Sequence, residues 1–322
     1  MSTLCAGCGH DSVSAAFIEA CFELNLPAHK VAKMSGIGCS SKTPTYFLSK
    51  SHGFNSVHGR MPSVATGANL ANNGLKYIGV SGDGDTASIG LGQFAHAVRR
   101  QVDMLYVVEN NGTYGLTKGQ FSATNDRISV GRKGQKNAFD SIDLVSMAIQ
   151  LGASFVARSF SGDKDQLVPL IKTALSHKGF AFIDVISPCV TFNNHVGSTK
   201  SFEFVRDHEH SVMDTDFVPH RAEIKADYGE GSVTDVILHD QSRVRLRKLD
   251  ASYDPSNRNA AMHFLMERQE QGEVVTGLLY LNTEDDELKE KIGVVEAPLN
   301  SLGTADLRPD MTMLEKINAS LR

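Results

Sequence analysis

The sequence predicts an α/β fold: a parallel sheet with helices on both faces, followed by a C-terminal extension. Three observations carry this. Up to about residue 190, short apolar runs alternate with segments whose apolar residues recur at helical spacing. Several of those runs are continuously apolar, as strands covered on both faces require. After Pro188 the chain turns polar and His-rich and the alternation fades. The expected division is therefore a domain over residues 1–190 and an extension over 191–322, wrapped on that domain.

The elements follow in order. Residues 11–24 place Val13, Ala16, Phe17, Ala20, Cys21 and Leu24 on one helical face. Val31–Met34 is a short strand ending at Gly36, and residues 64–74 are a helix close-packed through Ala65, Ala68 and Ala71. A strand over Leu75–Ser81 stops at Gly82, a helix covers 88–100, and Met104–Val108 reads as a buried strand. Residues 110–137 show no period and are rich in Gly, Asn, Thr and Lys, which marks a long functional loop. Helix 141–151, strand 154–158, helix 164–177 and strand 180–186 complete the domain, with Asp163 or Asp165 capping the second helix. In the extension, 233–239 and 243–249 pair as a hairpin around Asp240-Gln241, followed by a helix at 257–270 and a strand at 276–281.

Composition excludes several classes of function. Apolar residues make up 41% of the 322 and charged residues 21%, which suits a globular protein with a sizeable core. No run approaches the ~18 apolar residues of a membrane span, and the first residues lack the basic start and apolar stretch of a secretory signal. A net charge of −5 makes the chain a poor general ligand for nucleic acid. Five cysteines without an export signal point to the cytoplasm, with thiols used for metal or redox work rather than disulfides.

The first chemical signal is Gly82-Asp83-Gly84-Asp85 between a strand and a helix. The glycines permit a tight turn and close approach of a ligand, and the helix start favours an anion. Asp83 offers a hard oxygen to Mg²⁺. The second is Asn110-Asn111-Gly112-Thr113-Tyr114-Gly115, one helix and one strand further on. Both loops should leave the carboxyl edge of the sheet, where open α/β sheets bind ligands. The pair resembles the GDG…NN signature of thiamine diphosphate enzymes. That resemblance implies Mg²⁺ held by Asp83, the Asn111 side chain and the Thr113 carbonyl, with Gly84 and Asp85 at the diphosphate region.

Cys5 and Cys8 form a CxxC pair in CAGCGH; Cys39 lies in GIGCSSK and Cys189 in SPCV. Four such thiols suit tetrahedral Zn²⁺ or an iron–sulfur cluster, and spacing decides for neither. Cys21, on the apolar face of the first helix, reads as a buried structural thiol.

Taken in order, CAGCGH, GIGCSSK, His58-Gly59-Arg60, GDGD, NNGTYGLTKGQ and SPCVTFN resemble the β subunit of 2-oxoacid:ferredoxin oxidoreductases. STKSFEFVRDH, YDPSNRNAAM and GLLYLN extend the likeness into the tail, toward the 2-oxoglutarate type. The family's thiamine diphosphate-binding fold is implied, with Cys5, Cys8, Cys39 and Cys189 holding one [4Fe–4S] cluster. Ile37, Gly38, Cys39, Ser40 and His58 would approach thiamine diphosphate from one side, Gly115 and Leu116 from the other. Lys42 and Lys118 would lie in the substrate region. Leu4 and Ala6 stand where the family commonly has Trp and Pro, which bears on how the cluster is shielded.

The implied reaction is oxidative decarboxylation of a 2-oxoacid, 2-oxoglutarate favoured, with coenzyme A. Electrons would pass from thiamine diphosphate through the cluster to ferredoxin. The Glu that activates the cofactor comes, in this family, from the α subunit, so an αβ or (αβ)₂ assembly is implied and the lone chain should be inactive. Two rival readings remain at this point: a non-redox thiamine diphosphate decarboxylase subunit with structural zinc, and a phosphate-binding regulatory domain stabilised by zinc.

Overall fold

The structure is a computed structural model of the chain. It describes residues 2–131, 134–218, 233–237, 241–248, 250, 253–308 and 310–321. The chain opens with α1 (Gly9–Glu23), β1 (Val31–Ser35), β2 (His52–Asn55), α2 (Met61–Ala71) and β3 (Lys76–Gly82). Then come α3 (Leu91–Arg100), β4 (Met104–Asn110), the two-residue pair β5 (Thr113–Tyr114) and β6 (Gln120–Phe121), and α4 (Leu144–Leu151). Next are β7 (Phe155–Phe160), α5 (Lys164–Ser176) and β8 (Phe180–Ile186). The tail holds α6 (Phe202–His208), β9 (Glu209–Val218), β10 (Val233–Ile237), β11 (Arg243–Lys248), α7 (Arg258–Glu270) and β12 (Val274–Leu281). It ends in short α8 (Leu288–Ile292), α9 (Thr304–Leu307) and α10 (Met311–Ser320).

Strands β2, β1, β3, β4, β8 and β7 lie side by side and all run parallel. β4 and β8 lie inside the sheet, and every residue of both is buried, which is why their sequences are mainly apolar rather than alternating, broken only by Glu109, Asn110 and Asp184. Helix α1 packs on α5 on one face, while α2, α3 and α4 line up on the other. Phe94 of α3 meets Tyr106, Phe180 and Phe182 edge-on, with ring centroids 5.0–6.2 Å apart. Asp163 caps α5 by accepting from the Gln166 amide, as the sequence indicated.

The tail does not stand apart. β12 pairs antiparallel with β7, β9 runs parallel to β12, and β11 and β10 follow, so ten strands form one mixed sheet. β9 and α6 fall within the His-rich stretch where the sequence shows no regular period. The expected hairpin forms as β10–β11, and its strand ends at 238–239 and 249, with Asp240, lie outside the described residues. No helix among the described residues is long and apolar enough to cross a membrane.

Candidate active site

The parallel strands bring the functional loops together. β1, β3, β4 and β8 are neighbours, and their carboxyl ends lead into Gly36-Ile37-Gly38-Cys39, Gly82-Asp83-Gly84, Asn110-Asn111 and Ser187-Pro188-Cys189. Four loops scattered through the sequence thus meet on one edge. The N-terminal segment joins them because the Gly9 amide donates to the Pro188 carbonyl at 3.2 Å.

Two small cavities lie against each other at this edge. One, of about 50 Å³, is lined by Ile37, Gly38, Cys39, Ser40, His58, Asp83, Gly84, Asp85, Asn111, Thr113, Gly115 and Leu116 among others. These twelve are every residue expected at the cofactor and Mg²⁺. The other, about 60 Å³, is lined by Cys5, Cys8, Cys39 and Cys189, with Leu4 and Lys42. His10, Cys39, Asn111 and Gly115 belong to both and form the wall between them. Gly115 is fitted to that wall: a Cβ there would stand 3.4 Å from Cys39 Sγ and 3.6 Å from Cys189 Sγ.

In the first cavity, Asp83 is 1% exposed. Its carboxylate accepts from the Ser122 and Thr124 hydroxyls and, at 3.3 Å, from the Asn111 amide. Burial nevertheless raises its pKa, so a cation beside it would be welcome. Asn111 Oδ1 accepts from the Thr113 amide at 3.0 Å, and Asn193 holds the Asn111 carbonyl at 2.8 Å. Ser40 Oγ is buried without a hydrogen-bond partner on the lining of this cavity. Hard oxygens from Asp83, Asn111 and Thr113, with an unused hydroxyl nearby, fit a Mg²⁺-bound diphosphate.

Asp85 lines this cavity as expected, and its carboxylate also has partners within the protein. Its Oδ1 accepts from the Gly59 amide at 2.9 Å and its Oδ2 from the Ser81 hydroxyl at 2.7 Å. Its side chain therefore ties the His58-Gly59-Arg60 turn to β3. Gly59 has φ +68° and would carry a Cβ 2.7 Å from Gly90, so this turn needs glycine for both reasons. Residues 84–89 form a single π-type turn before α3, with the Gly90 amide donating to the Asp85 carbonyl. Gly84 leaves room for the Tyr114 ring, whose hydroxyl donates to the Gly84 carbonyl at 2.9 Å.

The thiols share the second cavity unequally. Cys5 is exposed, Cys8 is buried, and Cys39 and Cys189 are half-buried. Burial, with Glu109, Cys189 and Cys39 nearby, pushes the Cys8 thiol up to about 12. Burial and the adjacent Cys189 raise Cys39, against the pull of Lys42. Metal binding there would have to displace protons. Lys42 Nζ donates to the Thr3 carbonyl at 3.1 Å, which sets it beside the thiols rather than in the Asp83 cavity. Lys118 is exposed at the tip of the β5–β6 hairpin, with φ +86°, and lines neither cavity. Cys21 is 2% exposed in the core under α1, as expected. Among the described residues, no group of three or more His, Cys, Asp or Glu side chains is spaced to hold a metal ion as it stands.

Sequence reasoning missed His10, Glu109, Ser122 and Thr124. His10 and Glu109 are 1% and 0% exposed. Burial lowers the imidazole to about 4 and raises the Glu109 carboxyl well above its ordinary range. A charged residue inside an otherwise apolar strand was the available signal for Glu109.

A parallel sheet with Gly- and Asp-bearing loops on its carboxyl edge is the setting of a phosphate-cofactor site. The family model described as thiamine pyrophosphate enzyme, C-terminal TPP binding domain, matches residues 36–185. A second, describing the C terminal of the pyruvate ferredoxin oxidoreductase beta subunit, matches 242–297. The 2-oxoacid:ferredoxin oxidoreductase subunit beta of Saccharolobus solfataricus is 43% identical over 192 residues, 59% of this chain and 63% of that one. The 2-oxoglutarate synthase subunit KorB of Methanocaldococcus jannaschii is 40% identical over 192 residues, covering 58% and 69%. A 2-oxoglutarate:ferredoxin oxidoreductase from Magnetococcus marinus, solved with 2-oxoglutarate, coenzyme A and succinyl-CoA, superimposes with a TM-score of 0.76 at 30% identity, over 100% of this chain and 93% of that chain. The chain belongs to the β subunits of 2-oxoacid:ferredoxin oxidoreductases. It spans less than two thirds of the length of several curated relatives, such as 63% of the Saccharolobus protein.

Proposed function

We propose that the chain is the cofactor-bearing half of an enzyme that oxidatively decarboxylates a 2-oxoacid in the presence of coenzyme A and delivers the electrons to ferredoxin. The observation that carries this is the shared wall: Gly115 and Cys39 border the Asp83 cavity on one side and the four-thiol cavity on the other. A thiamine cofactor would supply carbanion chemistry at the 2-oxo carbon, and a [4Fe–4S] cluster on Cys5, Cys8, Cys39 and Cys189 would accept single electrons.

The chain's own residues have separable tasks. Asp83, Asn111 and the Thr113 carbonyl would hold Mg²⁺ on the diphosphate, with Gly84 and Asp85 close by. Ile37, Gly38, Ser40, His58 and Leu116 would shape the cofactor pocket and exclude water. Lys42 and Lys118 would draw the substrate carboxylate toward the edge. Residues 1–190 form the cofactor domain in this reading, and 191–322 extend it toward a partner subunit.

Two features support a partner. A cavity of about 50 Å³ houses only part of a cofactor, since small-molecule sites run to roughly 300–1,000 Å³. The loops at this edge also leave Val57, Leu116, Ile128 and Phe139 exposed, at 72, 52, 73 and 80%. An α subunit would cover them and supply the activating Glu, giving an αβ or (αβ)₂ assembly in the cytoplasm. 2-Oxoglutarate is favoured as substrate because the Methanocaldococcus relative and the Magnetococcus structure both carry that name. The zinc-based decarboxylase is disfavoured because those relatives are named oxidoreductase or synthase subunits.

The test is anaerobic production with and without the α-type chain, followed by assay of ferredoxin reduction with coenzyme A and pyruvate, 2-oxoglutarate or branched 2-oxoacids. Activity is expected only from the assembly and highest with 2-oxoglutarate. Ferredoxin reduction by the isolated chain would overturn the need for a partner, and 2-oxoacid decarboxylation without any ferredoxin reduction would return the zinc reading.

A further inference from the structure

His10 is fully buried in the wall between the two cavities, and its contacts fix its role step by step. The Thr113 amide can only donate, and it donates to Asn111 Oδ1 at 3.0 Å. The other end of the Asn111 amide, Nδ2, therefore faces His10 Nε2, at 3.3 Å. An amide nitrogen is a donor, so Nε2 must accept and the ring proton sits on Nδ1. Nδ1 donates to Ser187 Oγ at 2.5 Å, with Glu109 Oε2 at 3.7 Å. The ring thus holds the Asn111 nitrogen and leaves its oxygen on the side of the Thr113 amide.

His10 lies two residues after Cys8, and Ser187 two residues before Cys189. The imidazole therefore fastens two of the three segments that carry the four thiols to the loop that carries Asn111. Ser14, one turn along α1, binds the His10 carbonyl at 2.9 Å and touches Thr43 at 3.3 Å; Thr43 in turn donates to Glu109 at 2.7 Å. The cross-link is braced from behind.

We propose that His10 is a positioning residue for Asn111, orienting its amide oxygen toward Mg²⁺ and coupling the geometry of the cysteine loops to retention of the diphosphate. This rests on the reading of Asn111 as a Mg²⁺ ligand. Partners that orient metal ligands typically govern 10–100-fold in metal affinity.

The experiment uses the anaerobic assembly with its α-type chain and measures thiamine diphosphate binding by calorimetry as Mg²⁺ is titrated. His10→Leu removes the acceptor and is expected to raise the half-saturating Mg²⁺ at least about 10-fold. His10→Gln, whose amide oxygen can accept from Asn111, should restore most of the affinity. A purely structural role would not separate these two variants. Leu and Gln equally impaired, or Leu equal to the parent, would overturn the proposal. If His10→Leu does not fold, Ser187→Ala keeps the imidazole and releases only Nδ1; a smaller rise in half-saturating Mg²⁺ is expected, and no rise overturns the proposal. A parent assembly that binds thiamine diphosphate with no Mg²⁺ dependence would instead overturn the reading of Asn111 itself.

Discussion

Replacing Asp85 tests whether that side chain serves the ligand or the scaffold. Its carboxylate accepts from the buried Gly59 amide at 2.9 Å and the Ser81 hydroxyl at 2.7 Å. Asp85→Ala removes both acceptors and leaves the Gly59 N–H buried and unsatisfied. Hydrogen bonds to a carboxylate are worth about 1.5–3 kcal/mol, and an orphaned buried donor costs about 1–3 kcal/mol, with the two overlapping. A loss of about 3 kcal/mol follows, or roughly 4–5 °C in the melting temperature of a chain this size. Asp85→Asn keeps an oxygen for Gly59 and a nitrogen for Ser81, whose hydroxyl can turn to accept, so about 1 kcal/mol should be lost. The assay is thermal unfolding of the cofactor-free chain, paired with Mg²⁺-dependent thiamine diphosphate binding by the assembly. Asp85→Asn should bind almost as the parent does. A variant that melts like the parent but loses the cofactor would refute the scaffold assignment and place the carboxylate on the ligand.

Three further outcomes follow. Serine at Cys5, Cys8, Cys39 or Cys189 should lower bound iron and sulfide, while Cys21→Ser leaves both unchanged; metal and sulfide analysis of anaerobic protein decides. Arg158, bonded to Asp143 and at 3.1 Å to Asp184, bridges two carboxylates, and Arg158→Met should cost about 3–5 kcal/mol at pH 7 by leaving them unpaired. In the parent, burial opposes but Arg158 prevails and holds Asp143 below 3.8, so its contribution is complete above that pH and fades as pH falls through the lowered value. In the variant, the Ser146 and Val145 bonds to Asp143 and the Asn110 bond to Asp184 remain, but the guanidinium no longer opposes burial and the carboxyls rise, so urea titrations should show the deficit shrinking from pH 7 to pH 4. Lys118→Ala should raise KM for the 2-oxoacid without altering cofactor binding; an unchanged KM would remove Lys118 from the substrate region.

Much of this was legible because strand ends are marked twice, by an apolar run and by the Gly or Pro that stops it. β8 matches its expected span, Cys39, Asp83 and Cys189 follow such stops, and Asn111 directly precedes one at Gly112. β9 was hidden. Its residues Val212, Met213 and Thr215 are buried only because β12 and β11 flank it, a fact of tertiary pairing that local composition does not encode. The direction of the Asp85 side chain was hidden for a related reason. A Gly-Asp-Gly-Asp string shows two carboxylates but not that the second is bonded to Gly59 and Ser81. His10 looked like part of a cysteine motif, and its partners Ser187 and Asn111 are distant in sequence.

The order of the strands also sets a timetable for maturation. Cys5 precedes the sheet and Cys189 follows β8, the strand beside β4. The four thiols meet only after β1, β3, β4 and β8 are stacked. Cys189 is the last of the four to be made, directly after β8, so a chain that stops before β8 carries at most three of them. A cluster on these thiols would then be inserted into a folded scaffold, with Cys5 as the exposed thiol. Stalled or truncated chains that end before β8 would carry the CxxC pair but no place to keep what it captures.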